Sequence, residues 1–288
     1  MPPDLLKSVL LPLALIILMF GMGMTLRLAD FKRVVSSPKA TLLGSFCQLV
    51  SLPLLAFGLA YIFKLPPDLA TGLMLLAVCP GGATSNIITH LSKGDTALSV
   101  TLTAVSSIIT VFTIPLLLGL SMQHFLGEAQ VISLPFLKTF LQLLVVTLLP
   151  VALGMWLNAA RPKLTERLSR TVNVLSVSFL ALVILAAVLK EKDLGAQFAV
   201  AGPAAISLNI CGMAVGYAVA AIFALPVSQR RTISIEVGIQ NGTLALAIAL
   251  GLLESPRMAI PAVVYSLFMF ASGAYMILRH GREEQRSA

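Results

Sequence analysis

The sequence predicts an all-α polytopic membrane protein with nine transmembrane helices, and three observations carry that prediction. Hydrophobic residues make up 58% of the 288 positions and charged residues only 11%, whereas soluble domains carry about 25% charged residues. So few charges cannot cover that much apolar side chain in water. Apolar stretches of the roughly 20 residues needed to cross a bilayer recur from one end of the chain to the other. The connections between them are short, so residues 1–288 read as one integral membrane domain without a soluble part.

The spans are taken in order. The first covers 8–26 and is followed by Arg27, Lys32 and Arg33 with no small-residue cleavage site, so it reads as a retained helix rather than a signal peptide. The second, 40–63, carries an amide, Gln48, inside an apolar run. The third, 69–91, is apolar as far as Val78 and then reads CPGGATSN over 79–86. Pro80, Gly81 and Gly82 break it after about a dozen residues, near the middle of the membrane at about 1.5 Å rise per residue. The fourth, 96–121, places Ser99 and Thr103 four residues apart on one helical face. Plain spans follow at 136–157, 171–190 and 198–225, after the longest connection at roughly 122–135. The eighth, 227–253, contains SIEVGIQNGTLALAI, with Glu236, Gln240 and Asn241 among the glycines Gly238 and Gly242. The ninth covers 259–279.

Nine spans put the termini on opposite sides. One set of connections holds Arg27, Lys32, Arg33, Lys39, Lys93, Arg161, Lys163, Arg167, Arg170, Arg230, Arg231, Arg279, Arg282 and Arg286. The other holds Lys7, Lys64, Lys138, Lys190, Lys192 and Arg257. Fourteen against six places the C-terminus in the cytoplasm and the N-terminus outside, in the cell (inner) membrane. The net charge of +8 is spread over these loops and does not form a nucleic-acid surface. Cys47, Cys79 and Cys211 lie in apolar runs without metal-ligand or redox spacing, so they are packing residues. There is no HExxH motif, and His90, His124 and His280 occupy a helix end, an outside loop and the tail, which argues against an intramembrane enzyme. Nothing calls for an obligatory protein partner, and the cysteines and histidines imply no metal site.

Eleven of twelve acidic residues lie in loops, tails or span edges; Glu236 is the exception. Two readings of it stand open. In the first it occupies the first turn of an ordinary helix starting near Ile233, solvated and favoured by the helix dipole. Alternatively it lies inside the membrane, where a carboxylate faces a cavity, pairs or binds an ion. Gly238 and Gly242 fit GxxxG helix packing, and a lone proline kink would account for residues 80–82. Packing does not account for Glu, Gln and Asn clustered around the second break. Polar interruptions at corresponding places in two oppositely directed spans point to the binding site of a secondary transporter. Spans three and eight are five apart, as an inverted repeat requires, with one helix missing before residue 8. A proton-coupled transporter with Glu236 as carrier shares the architecture, whereas a passive channel or structural membrane protein gives no reason for two aligned broken helices. The surrounding oxygens favour a hard cation, and two half-helix N-termini favour an anion beside it.

CPGGATSN and TISIEVGIQNGTLALAIA resemble the two crossover motifs of the bile acid:sodium symporter family, and IILMFGMGMTLRLADF resembles its early helix. The resemblance runs from about residue 13 to about residue 275. It implies two discontinuous crossing helices in a core domain (spans in 40–121 and 198–279) beside a panel domain (spans in 8–26 and 136–190). It also implies sodium-coupled import of an organic anion, bile-acid-like or a smaller carboxylate, by alternating access, with two sodium ions. By motif position the first ion would use Ser85, Asn86, Ser99, Thr103 and Glu236. The second would use Gln48, Glu236, Gln240 and backbone oxygens near Val237 and Ile239. Ala83, Thr84 and Asn241, beside the breaks, would face the substrate. This chain departs from the pattern at Ala83, where relatives carry a polar residue, and at Met269 and Phe270, where some bacterial relatives carry His and Asn. The expected partners are therefore a small organic anion and the lipid bilayer.

Overall fold

The computed structural model describes residues 11–25, 37–82, 84–127, 144–168 and 194–281, with a few single positions between them. Among these the protein is helical, and the one piece of extended pairing is an isolated antiparallel bridge between Gly81 and Gln240. Helix is the form in which a chain in lipid satisfies its own peptide groups. In chain order the helices are α1 (Leu11–Thr25), α2 (Pro38–Ile62), α3 (Pro67–Ala77), α4 (Thr84–Leu91) and α5 (Thr96–Leu126). Then come α6 (Leu149–Ala160), α7 (Leu194–Ile222), α8 (Val227–Gly238), α9 (Gly242–Leu252) and α10 (Pro256–Gly281).

Among the described residues, four segments are long and apolar enough to cross a membrane: Pro38–Ile62, Thr96–Leu126, Gly195–Ile222 and Pro256–His280. They correspond to the expected second, fourth, seventh and ninth spans. The expected third and eighth spans are each two short helices, α3 with α4 and α8 with α9. Most of the expected sixth span, and the charged connections at 26–33 and 128–140, lie outside the described residues. One boundary needs correction. α5 continues to Leu126, so His124 is in a helix rather than a loop, and its Nε2 meets the Tyr61 hydroxyl at the end of α2. The hydropathy of SMQHFL falls, but its helical hydrogen bonding does not.

α2 and α7 close in the same way. Both end in Ile-Phe-x-Leu-Pro, at 62–66 and 222–226. Lys64 and Ala224 take left-handed backbone angles, φ 49° and 53°. Leu65 N–H returns to the Ala60 carbonyl (2.9 Å) and Leu225 N–H to Ala220 (3.0 Å). This is the Schellman closure, followed by a proline that cannot continue the helix. The next helix then starts directly, α3 after Pro66 and α8 after Pro226.

α3 packs between α5 and α10, and α8 against α7, α4 and α5. The two broken helices are thereby enclosed: Leu69 through Gly82 and Ile233 through Gly242 are buried without interruption. α2 and α5 keep Leu42, Phe46, Leu54, Phe112, Leu116 and Leu120 more than half exposed, the face an integral membrane helix turns to lipid. Separately, α1 packs on α6, where Gly23 lies against the Val151 backbone and Gly154 against that of Phe20 and Met24.

Candidate functional site

The two breaks meet. α3 stops at Ala77, and α8 at Gly238, because a proline and glycines in one and Ile239–Asn241 in the other leave the helical path. Their extended residues pair with each other. Gly82 N–H donates to the Ile239 carbonyl (2.8 Å) and Asn241 N–H to the Pro80 carbonyl (2.9 Å). Unwound peptide groups are tolerated at membrane depth only when satisfied in this way or by water. The approach requires glycine. A Cβ on Gly81 would stand 2.7 Å from Glu236 Oε2, and one on Gly82 would stand 2.9 Å from the Gln240 carbonyl. The two glycines of the second break serve packing too: Gly238 lies against Met213 and Gly242 against Ser266.

Glu236 sits in the last turn of α8 and is 3% exposed, so the solvated first-turn reading does not describe it. Three hydroxyls from two other helices donate to its carboxylate. Ser85 on α4 reaches Oε1 (2.5 Å), Ser99 on α5 also reaches Oε1, and Thr103 reaches Oε2 (3.0 Å). The four-residue spacing on α5 thus delivers both hydroxyls to one carboxylate, as the helical repeat requires. Ser99 Oγ also lies 2.8 Å from Asn86 Oδ1. One hydroxyl proton cannot serve both acceptors fully, and an oxygen-rich contact of this kind becomes favourable with a cation inside it. Among the described residues no lysine or arginine pairs with Glu236.

A second cluster lies at the end of α8, around Gln48 and Gln240. Gln48 Nε2 donates to Gln240 Oε1 (2.7 Å) and to the Cys79 carbonyl (3.2 Å). Gln240 Nε2 returns to Gln48 Oε1 (3.1 Å) and also reaches the Val237 (2.8 Å) and Glu236 (3.4 Å) carbonyls. The two amides therefore close a reciprocal pair over the end of α8. Gln48 is brought there by a π-helical turn at Cys47–Ser51 in α2, an irregularity that recurs at functional sites and that hydropathy does not signal.

The expected substrate-facing residues fare differently. Ala83 lies outside the described residues. Thr84 opens α4 and is half-buried. Asn241 is buried and caps α9, its Oδ1 accepting from Leu244 N–H (3.0 Å) and the Thr243 hydroxyl (2.6 Å). Met269 is buried, whereas Phe270 is 52% exposed.

Sequence reasoning missed two residues at the crossing. The Gly238 carbonyl accepts from Asn209 Nδ2 on α7 (2.7 Å) and from the Tyr265 hydroxyl on α10 (2.9 Å). Both were single polar residues in apolar spans, and only tertiary packing brings them to the break.

Comparison with known proteins bears on this arrangement. The sequence profile described as the Sodium Bile acid symporter family matches residues 12–198. The chain is 37% identical over 258 residues to a probable sodium/metabolite cotransporter, BASS1, chloroplastic, of Arabidopsis thaliana, covering 88% of this chain and 62% of that protein. It is 31% identical over 261 residues to the uncharacterized sodium-dependent transporter YocS of Bacillus subtilis, covering 90% of this chain and 79% of that protein. It is 34% identical over 274 residues to the sodium/bile acid cotransporter 4 of Mus musculus, covering 92% of this chain. The chain spans only 62% of the length of the Arabidopsis and mouse proteins.

Proposed function

Because the chain belongs to the sodium bile acid symporter family, whose named members include sodium-dependent transporters, we propose that it is a secondary active symporter importing an organic anion with sodium. The single observation that carries this reading is the buried Glu236 carboxylate, ringed by three hydroxyls where two broken helices cross. A buried carboxylate without a basic partner is costly, and a bound cation removes that cost.

The first sodium ion takes Glu236, Ser85, Asn86, Ser99 and Thr103, an all-oxygen set suited to a hard cation. The second takes Gln48, Gln240, Glu236 and the backbone oxygens of Val237 and Ile239. The Gln240 amide nitrogen donates to the Val237 carbonyl, so the Gln240 side chain would have to turn its oxygen toward an ion held there. One carboxylate shared by two ions couples their binding.

Anion selection falls to the residues at the starts of α4 and α9, where helix dipoles favour negative charge. Thr84 contributes its hydroxyl there, next in sequence to Ala83, and Asn241 contributes its amide Nδ2, its oxygen being committed to the cap. The repeated Ile-Phe-x-Leu-Pro closures, 160 residues apart, support a five-span inverted repeat, and the loop charges favour nine spans with the C-terminus cytoplasmic. Alternating access follows as the core, with the crossing, rocks against the panel that includes α1 and α6.

The test is uptake of a panel of organic anions into proteoliposomes with and without an inward sodium gradient. Uptake of at least one anion that requires sodium supports the reading. Uptake driven equally by a proton gradient without sodium assigns Glu236 to proton coupling instead.

A further inference from the structure

Every carbonyl at the end of α8 has an identifiable partner, and the partners differ in kind. Ile235 accepts the Ile239 N–H (2.8 Å), Ile239 accepts Gly82 N–H (2.8 Å) and Gln240 accepts Gly242 N–H (2.9 Å), all backbone donors. Among the described residues, Glu236 and Val237 are held only by the rotatable amide of Gln240. Gly238 alone is held from two other helices at once, by Asn209 on α7 and Tyr265 on α10. Both side chains are 0% exposed.

The packing of α7 is built to allow this. Asn209, Gly212, Met213 and Gly216 recur at three- and four-residue spacing on one face. A Cβ on Gly216 would stand 3.0 Å from the Ile233 carbonyl, and one on Gly212 would stand 3.5 Å from that of Val237. The missing side chains let the α7 backbone come close enough for a short asparagine to reach the Gly238 oxygen. The opposite broken helix has a matching device: Gln48 of the preceding helix α2 reaches the Cys79 carbonyl at the end of α3. There the amide also belongs to the reciprocal glutamine pair, whereas Asn209 has no bond to either glutamine and its Oδ1 is buried without a hydrogen-bond partner.

We propose that Asn209 and Tyr265 are positioning residues for the second sodium ion, clamping the Gly238 carbonyl so that the Val237 and Ile239 oxygens beside it keep their aim. This rests on the sodium reading above. The peptide unit is planar and rigid, so fixing the Gly238 oxygen fixes the plane that joins Gly238 to Ile239. The neighbouring carbonyls then differ from it only by the φ and ψ of one residue each. With the clamp, an arriving ion has only the Gln240 amide to displace. Without it, the ion must also order the end of the helix.

The test compares wild type, Tyr265→Phe and Asn209→Ala as purified full-length protein, measuring thermal unfolding against sodium chloride with choline chloride holding ionic strength. Tyr265→Phe keeps the ring and removes one donor, so it guards against an Asn209→Ala that folds poorly. We expect each variant to raise the sodium midpoint by about threefold to tenfold, the worth of one hydrogen bond. A lower unfolding temperature without sodium but an unmoved midpoint would make the pair merely structural and overturn the proposal. So would variants indistinguishable from wild type. A wild type that does not respond to sodium at all overturns the sodium assignment itself and the clamp with it, and is distinguished by that response alone.

Discussion

Replacing Glu236 by glutamine keeps the volume and one oxygen but removes the charge. The consequence follows from the geometry. The carboxylate is 3% exposed, touches Ser85, Ser99 and Thr103, and lies beside both proposed ions. Two unit charges about 4 Å apart interact by about 4 kcal/mol at an effective dielectric constant of about 20. At about 1.4 kcal/mol per decade, that weakens sodium binding by about a thousandfold. A wild type at a sodium concentration of about 100 times its dissociation constant gains about 2.7 kcal/mol of stability, and the variant at the same sodium gains about 0.1 kcal/mol or less. The ion-free states move the other way. Glutamine removes a buried charge that no basic residue among those described offsets, so Glu236→Gln should unfold no lower than wild type when sodium is absent. Thermal unfolding in detergent across a sodium series, balanced with choline, reads both effects. A variant whose sodium midpoint stays within tenfold of wild type would refute the reasoning, because the carboxylate would then not be the ions' main counter-charge.

Further outcomes follow from the same geometry. Gly81→Ala puts a methyl 2.7 Å from Glu236 Oε2 and should abolish the sodium response, whereas Gly119→Ala, with nothing within 4 Å, should preserve it; equal behaviour of the two in the unfolding series would remove the crossing from the account. Gln48→Leu breaks the reciprocal amide pair and should make sodium activation of uptake hyperbolic rather than sigmoidal, a sigmoid that survives counting against Gln48 in the second ion's shell. Asn241→Ala removes the cap of α9 and should cost about 1 kcal/mol of stability, with Asn241→Ser recovering most of it. No loss on chemical or thermal unfolding would place the cap outside the energetics of the break.

Much of this site was legible because the features that break a membrane helix are conspicuous in an apolar chain. Pro80–Gly82 and the polar residues around Gly238 announce themselves by being where hydropathy forbids them. Ser99 and Thr103 share a carboxylate because their spacing matches the helical repeat. Asn209 and Tyr265 were not legible. A single asparagine or tyrosine in an apolar span has no periodic signature, and its partner, the Gly238 carbonyl, is sequence-independent. Gln48 was read as an amide out of place, but its aim depends on the π-helical turn at Cys47–Ser51, which follows no composition rule. Asn241 reads from the sequence only as a substrate residue, whereas in the structure its side-chain oxygen caps α9. The end of α5 was placed too early because hydropathy follows the bilayer, whereas helical hydrogen bonding continues through His124 to Leu126.

The central claim is that the oxygens around Glu236 bind sodium, and direct equilibrium binding of radioactive sodium to the purified protein tests it without requiring the transported anion. The account predicts saturable binding that choline does not displace and that Glu236→Gln eliminates while the protein remains folded. Absence of saturable binding, or binding of the same capacity and affinity in Glu236→Gln, would contradict it.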